Sequence, residues 1–184
     1  VGKWQFRNEK KEVERFFNFT SLYEGRHVYK IKGKTIHAVD HSEEVAIEFL
    51  KTRPRDKPFS LTVAFYPPKA IGRSKVPGAQ YTPKNESMSL YANVDVPMPD
   101  METSFKRLPH VLRAGTTART VWDERYNGNE RYQASMKNYF RLITEVDTAC
   151  ENIFNELERQ KILNETLVIF TTDNGFFHGE HGIG

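Results

Sequence analysis

The sequence predicts an α/β fold, and three segments carry that prediction. Residues 130–162 repeat apolar side chains every three or four positions, which is typical of one long amphipathic helix. After a short connection, the apolar run Thr-Leu-Val-Ile-Phe-Thr at 166–171 predicts a buried strand. A second apolar run, Phe-Ser-Leu-Thr-Val-Ala-Phe at 59–65, lies between prolines and predicts another buried strand. A long helix, a tight turn and an apolar strand in succession are typical of α/β folds.

Shorter elements are predicted before residue 59, and a long irregular stretch after residue 67. Residues 27–39 form two short runs around a Lys-Gly pair, which predicts a hairpin. Asp40 begins an Asp-x-x-Glu capping pattern, and the apolar residues that follow predict a helix that ends near Thr52. Residues 67–129 keep no period, so they are predicted to be largely irregular.

Composition narrows the class of protein. The chain has 184 residues, of which 38% are hydrophobic and 28% charged, as expected for one globular domain. The net charge is +3, but the basic residues are scattered, which argues against a nucleic-acid-binding protein. No apolar run reaches the length of a membrane span. The single cysteine, Cys150, excludes a disulfide within the chain and a cysteine zinc site, and its helix position predicts a buried side chain.

The strongest signal for a functional site follows the apolar run at 166–171. Asp173 and Asn174 lie just past that predicted strand, and ligands of open α/β sheets gather beyond the carboxyl ends of strands. Their side chains offer a charged and a neutral oxygen, which suits a hard cation such as calcium or magnesium. Gly175 frees the backbone to turn away. The same Asp-Asn-Gly sequence is also typical of a plain turn, and the Gly-Glu-His-Gly block at 179–182 is what favours a site.

Three blocks, in order along the chain, carry a resemblance to a known family. They are Gly-Lys-Trp at 2–4, then Lys-Pro-Phe at 57–59 with its apolar run and Pro68, and last the end of the long helix with residues 164–182. In these blocks and in their spacing, the chain resembles the sulfatases of the alkaline-phosphatase-like superfamily. The resemblance spans nearly the whole chain, and its last block is the most specific.

The resemblance implies a fold and a set of roles. The fold would be part of an alkaline-phosphatase-like three-layer sandwich with a mostly parallel central sheet, incomplete at both ends, in a single domain. Asp173 and Asn174 would ligate a divalent cation, usually calcium in this family, with magnesium as the alternative. Lys3 would hold a fixed positive charge near the sulfate or the nucleophile. Gly175 and His181 would support the metal loop.

Two positions depart from the pattern of the family. The histidine expected after Gly-Lys-Trp is Gln5, which can donate a hydrogen bond but carries no proton at neutral pH. The histidine of a Pro-His element is replaced by Lys69, which can hold a sulfate as a point charge and can donate a proton where its pKa is lowered. Both are candidate catalytic residues together with Lys3. With these two replacements, the sequence is compatible with an altered substrate specificity or with an inactive site.

The nucleophile of the family is expected outside this sequence. It is a cysteine in a Cys-x-Pro-x-Arg segment, oxidised to formylglycine, and residues 1–184 contain no such segment. Two acidic metal ligands of the family, and a lysine that follows its Gly-Glu-His-Gly block, are expected outside the sequence as well. The resemblance therefore implies an internal piece of a catalytic domain. We expect this piece not to fold stably without the remainder of its polypeptide, because central strands would lack neighbours.

Three glycosylation sequons favour the secretory pathway. Asn18, Asn85 and Asn164 each begin an Asn-x-Ser/Thr sequence and are candidates for N-glycosylation. An extracellular or lysosome-like location is the corresponding expectation.

Three functions remain open from the sequence. The first is a sulfuric-ester hydrolase acting on a sulfated ester, with sulfated polysaccharide as the common extracellular substrate of the family. The second is a phosphate or phosphonate ester hydrolase of the same superfamily, which shares the metal site. The third is a catalytically silent structural or binding protein on the same fold, favoured by Gln5 and Lys69. The expected partners are the substrate and the remainder of the polypeptide, with neither nucleic acid nor a membrane span.

Overall fold

The computed structural model describes residues 1–3, 13–31, 33–113 and 115–184. Gln5 therefore lies outside the described residues. The chain divides into two compact units, of which the first combines Val1–Pro68 with Ile143–Val168. The second combines Lys69–Leu142 with Ile169–Gly184. The assignment of the chain to a single domain stays a prediction.

Two short strands of the first unit lie parallel. β1 (Gly2–Lys3) pairs with β2 (Leu22–Tyr23), so that Gly2 is opposite Leu22. On its other side, Gly2 forms a parallel bridge with Ala64. The predicted strand at 59–65 is present only to this extent, as a partly buried segment that forms one bridge.

The predicted hairpin is confirmed. β3 (Val28–Ile31) and β4 (Lys34–His37) are antiparallel, with Ile31 opposite Lys34 at the turn. Helix α1 (Ala38–Thr52) follows at once, and it ends where the sequence predicts, before Pro54. The predicted start is three residues too late, because Asp40 was expected as the N-cap. His37 is the N-cap and accepts from the Val39 N–H at 3.4 Å, because the hairpin delivers the chain into the helix before Asp40 is reached.

Short helices occupy the middle of the chain, where the sequence predicts irregular structure. They are a 3₁₀ helix at Asn85–Ser89, α2 (Met101–Arg107), α3 (His110–Arg113) and α4 (Thr117–Arg125). Asp100 caps α2 by accepting from the Thr103 N–H at 3.1 Å, and Thr116 caps α4 by accepting from the Arg119 N–H at 3.2 Å. Helices of four to nine residues are too short to show a hydrophobic period, which is why the pattern missed them.

The long predicted helix is confirmed as α5 (Asn129–Arg159). Its first part belongs to the second unit and its last part to the first unit. It is amphipathic and carries charged residues on its exposed face. None of the helices in the described ranges is long and apolar enough to cross a membrane.

The first unit has its core between α1, the end of α5 and the 59–65 segment. The fully buried apolar side chains of this core are Ala46, Leu50, Ile153 and Leu157 in one cluster and Val39, Val146 and Ala149 in the other. Cys150 packs beside the second cluster but is only half-buried, whereas its helix position predicts a buried side chain. Burial, and secondarily the negative charge of Asp147, raise the pKa of its thiol, which is what an inert packing cysteine shows.

The second unit has its own core, formed by α2, α4 and the first part of α5. Its buried members are Val96, Met101, Trp122, Tyr126, Tyr132 and Met136. The Trp122 indole N–H points at the Met101 sulfur at 3.1 Å, so the one polar atom of this large ring is not left without a partner.

The prediction of a buried strand at 166–171 differs from the structure. After the 3₁₀ turn Leu163–Glu165 the chain is irregular, and the exposed fractions of Leu167 and Phe170 are 86% and 83%. A strand depends on ladder hydrogen bonds to its neighbours, and no described strand pairs with this segment. The apolar run therefore reaches the candidate site without regular structure.

Candidate active site

The predicted metal ligands lie in an exposed loop. Asn174 is exposed and donates from its side-chain nitrogen to the carbonyl oxygen of Gly175 at 2.7 Å. The Thr172 hydroxyl donates to the Asn174 carbonyl oxygen at 2.9 Å and closes the turn. Asp173 is exposed, and within the described ranges its carboxylate has no protein partner. The loop thus presents a charged and a neutral oxygen to the solvent.

The Gly-Glu-His-Gly block anchors the chain just after this loop. It forms the 3₁₀ turn Glu180–Gly182, which packs on α2. Gly182 has a φ of +65°, and a β-carbon there would lie 2.6 Å from an Arg119 guanidinium nitrogen. Arg119 donates to the Gly182 carbonyl oxygen at 2.8 Å while its guanidinium stacks 3.6 Å from the centre of the Trp122 ring. The glycine is therefore required by both the backbone conformation and the lack of space.

The two histidines near the loop have different surroundings. His181 is exposed and sits in the anchoring turn with a φ of +57°, its ring 5.8 Å from that of Phe177. His178 is half-buried. Its ring centre lies 4.3 Å from that of Tyr139, and its Nδ1 lies 3.3 Å from the Tyr126 hydroxyl. Burial lowers the pKa of His178, an effect that Arg125 increases and Glu180 opposes, so the imidazole is held neutral.

The oxygen pair of Asp173 and Asn174 fits a hard divalent cation by its chemistry, because carboxylate and amide oxygens are what calcium and magnesium bind. Two side chains do not complete a coordination sphere of six or more oxygens. Among the described residues, no group of three or more His, Cys, Asp or Glu side chains is placed to hold a metal. Further ligands would have to come from elsewhere.

Lys3 is held by its backbone in the first unit. Its N–H donates to the Ala64 carbonyl oxygen at 2.9 Å, and β1 pairs with β2 on the other side. Its ammonium lies 5.1 Å from the centre of the Tyr66 ring, within the range of a cation–π contact. Tyr66 is itself buried and packs on the His27 ring at 5.6 Å. The half-buried Lys3 is therefore a positioned cation rather than a mobile surface lysine.

The remaining predicted residues are found at the surface. Lys69 is exposed and follows the cis peptide bond between Pro67 and Pro68. The three sequon asparagines are also exposed, at positions compatible with glycan attachment: Asn18, Asn85 and Asn164. Lys3 belongs to the first unit, whereas Lys69, Asp173 and Asn174 belong to the second. Their joint role in one site stays a prediction.

Comparison with known proteins decides the family. The model of the sulfatase family matches residues 1–183, which is nearly the entire chain. The chain belongs to the sulfatase family.

Two known proteins are similar to this sulfatase chain. It is 23% identical to the N-acetylglucosamine-6-O-sulfatase of Bacteroides thetaiotaomicron, over 99% of this chain and 42% of the relative. Its fold resembles the solved structure of BT4656 in complex with its substrate D-glucosamine-2-N,6-O-disulfate, with a TM-score of 0.67 and 20% identity. That likeness covers 100% of this chain and 48% of the other, so the sulfatase chain spans about half the length of the proteins it matches. The predicted α/β fold class, a partial alkaline-phosphatase-like domain, is confirmed.

Sequence reasoning missed the residues that hold the sulfatase loop in place. Arg119 and Tyr126 lie far from the loop in sequence, and no motif marks them. A buried hydroxyl network continues from Tyr126 to Tyr81, whose oxygens are 2.9 Å apart, and Arg125 donates to Gln80 beside it. Only the tertiary structure places these side chains behind the loop.

Proposed function

We propose that this chain is part of a sulfuric-ester hydrolase. The observation that carries the proposal is the exposed pair Asp173 and Asn174, in a chain whose sulfatase family model spans residues 1–183. Two exposed oxygen-bearing side chains next to an anchored turn support a cation-binding role for this loop.

Asp173 and Asn174 would hold the divalent cation, calcium in the first instance and magnesium as the alternative. When bound, such a cation polarises the oxygen atoms of a sulfate ester and stabilises the negative charge of the transition state. The other residues of the chain would hold the side chains of Asp173 and Asn174 in position. Thr172 and Gly175 do this through the loop's internal hydrogen bonds, and Arg119 does it through the anchoring turn.

Lys3 would supply a second, permanent positive charge for the sulfate group. Its backbone is fixed on both sides and its ammonium rests on Tyr66, so little ordering is needed when an anion arrives. Lys69 and Gln5 are the other two candidates. Lys69 would bind an equatorial sulfate oxygen as a point charge, and Gln5 would donate an amide hydrogen bond to the same group.

The nucleophile would come from a segment of the parent polypeptide outside these 184 residues. In this proposal it is a formylglycine made from the cysteine of a Cys-x-Pro-x-Arg segment, and its hydrate attacks sulfur. Lone Cys150 cannot replace it, since it is half-buried in a helix and burial raises the pKa of its thiol.

The proposed substrate is a sulfate ester of an amino sugar, within a sulfated polysaccharide or at its end. The relatives support this choice by what their names state, namely an N-acetylglucosamine-6-O-sulfatase and a complex with D-glucosamine-2-N,6-O-disulfate. A secreted or lysosome-like location is proposed with it. The exposure of Asn18, Asn85 and Asn164 is compatible with N-glycans at all three sequons.

The deciding experiment is intact mass and peptide mapping of the native parent protein, followed by turnover of N-acetylglucosamine-6-sulfate. We expect a mass well above 21.4 kDa, a formylglycine peptide and sulfate release. The Asp173→Ala variant of the parent should lose sulfate release and Asp95→Ala, an exposed aspartate outside the loop, should keep it. A parent that binds calcium but hydrolyses neither sulfate nor phosphate esters would favour the silent binding protein, and turnover of phosphate esters alone would favour the sister hydrolase.

A further inference from the structure

A groove of about 370 Å³ opens in the second unit beside the metal loop. Its sides are Phe176, Phe177 and His178 from the segment that follows Asn174, and a Pro-Met-Pro stretch at 97–99. Tyr132 and Met136 of α5 form its floor and are nearly fully buried. This volume lies within the range of small-molecule sites.

Two adjacent phenylalanines form part of the wall of this groove. The exposed fractions of Phe176 and Phe177 are 47% and 49%, and both rings line the groove. Aromatic rings in the wall of a groove provide an apolar surface against which the C–H groups of a ring-shaped ligand can pack. They follow Asn174 by only two and three residues, which keeps whatever they contact close to the proposed cation.

The charges of the groove indicate which end of a sulfated ligand it accepts. Among the described residues that line the groove, Glu180 alone carries a formal charge at neutral pH, because burial lowers the pKa of His178 and its ring is neutral. A carboxylate repels a sulfate group but accepts hydrogen bonds from hydroxyl and amide groups. The groove therefore suits the uncharged part of the substrate, and the sulfate belongs at the cation side.

His178 contributes a hydrogen-bonding group of fixed orientation. The Tyr126 hydroxyl lies 3.3 Å from Nδ1 and is itself 2.9 Å from the Tyr81 hydroxyl. Burial raises the pKa of Tyr126, so its hydroxyl stays protonated, and either this hydroxyl or the imidazole can be the donor in their contact. Nδ1 is engaged in that contact, so Nε2 is the ring nitrogen that a ligand would meet. The tilted packing of the Tyr139 ring, with ring centres 4.3 Å apart, restricts the orientation of the imidazole.

We propose that this groove binds the sugar ring of the sulfated substrate, with the faces of Phe176 and Phe177 against its C–H groups and His178 and Glu180 in hydrogen bonds to its polar substituents. The proposal rests on the proposed function, since it assigns the leaving-group side of the same site. It makes Phe176, Phe177 and His178 specificity-determining residues rather than catalytic ones. A sugar ring has an apolar face and polar groups at its edge. The groove matches it with the rings of Phe176 and Phe177 and the polar side chains of His178 and Glu180.

The test uses the intact parent protein and N-acetylglucosamine, which carries no sulfate, as the probe in titration calorimetry. Its binding depends on neither the cation nor turnover, so this result is independent of whether sulfate is released. We expect the double variant Phe176→Ala, Phe177→Ala to raise the dissociation constant about three- to tenfold. Phe16→Ala, whose ring is 82% exposed in the first unit, is the matched control and should leave the constant unchanged.

A second variant separates hydrogen bonding from packing. His178→Phe keeps a ring against Tyr139 but removes the hydrogen-bonding nitrogen Nε2, and we expect it to weaken sugar binding while the melting temperature changes little. The proposal is overturned if the unaltered parent does not bind the sugar, or if the double variant binds as tightly as the parent. A parent that binds the sugar through these residues but releases no sulfate would remove the hydrolase proposal and keep the groove.

Discussion

The α-carbon of Gly2 faces the backbone of Ala64 so closely that a β-carbon on Gly2 would overlap the Ala64 carbonyl oxygen. Gly2 also has a φ of +110°, a conformation that other L-residues rarely adopt. The neighbouring Lys3 N–H donates to the same oxygen. The glycine of the Gly-Lys-Trp block is therefore what lets the 59–65 segment approach β1 and fix the position of Lys3.

Replacing Gly2 should displace Lys3. We expect Gly2→Ala to lower the stability of the parent protein by about 1–3 kcal/mol, because it adds backbone strain as well as steric overlap. If the Lys3 ammonium binds the sulfate group, the KM for a sulfate ester should also rise in this variant. Thermal unfolding and initial-rate kinetics measure the two effects. Gly33→Ala is the matched control, since Gly33 has a φ of +80° but open space around it. Equal losses in both variants would contradict a special role for the approach to Ala64.

Removing the carboxylate of Asp173 should abolish tight calcium binding without unfolding the protein. Asp173 is exposed and has no protein partner within the described ranges, so its loss removes a ligand and little else. We expect the dissociation constant for calcium to rise at least about tenfold in Asp173→Ala, while the melting temperature measured in a chelator stays the same. Asp95→Ala serves as the control. Unchanged calcium affinity in Asp173→Ala would eliminate this residue as a ligand.

The anchoring turn should be necessary for that affinity. In Gly182→Ala a β-carbon would meet the Arg119 guanidinium and lie 2.9 Å from the Phe105 β-carbon, so the turn must move away from α2. We expect weaker calcium binding and a loss of roughly 1–3 kcal/mol of stability. Gly115→Ala has a similar φ of +51° with nothing nearby and should show only the smaller backbone effect. Calorimetric calcium titration distinguishes the two variants, and identical curves would show that the turn does not position the ligands.

Acid should weaken the first unit through Glu156. Its carboxylate accepts from Arg159 at 2.8 and 2.6 Å and from the Gln160 side chain at 2.6 Å, and these hydrogen bonds, led by those of Arg159, lower its pKa from 4.5 to about 2. A carboxyl group whose pKa is lower in the folded state than in the unfolded state stabilises the fold at pH values above its unfolded pKa. This contribution to stability is lost as the pH falls from 4.5 towards 2. We expect the fall in unfolding midpoint over that range to be smaller in Glu156→Gln.

Denaturant titrations at a series of pH values measure this effect. Glu158→Gln is the control, because Glu158 is exposed two positions further along the same helix. If Glu156→Gln retains the full acid sensitivity of the parent, then other carboxylates account for it.

Periodic and turn-forming segments are where sequence and structure agree. The hairpin around residues 32–33, the end of α1 and nearly the whole of α5 follow from patterns that recur within a few residues. The start of α1 was missed because His37, arriving from the hairpin, caps it before Asp40. The sequence pattern does not reveal α2 and α4 because each begins at a side-chain cap and packs on distant residues, and α3 is only four residues long.

For the site, the sequence by itself predicts the chemistry through the order Asp173, Asn174, Gly175 followed by Gly-Glu-His-Gly, and it determined the family, which the family model confirms. Only the tertiary structure decided what supports that chemistry. Arg119, Tyr126 and Tyr139 reach the loop from helices 35 or more positions earlier in the chain, and their contacts depend on how those helices pack. The physical reason is the range of the forces. Which atoms a residue can offer to a metal, and how freely its backbone can turn, depend on that residue and its neighbours in the sequence. The ring contacts, burial and pKa of His178 instead depend on side chains that only folding brings together.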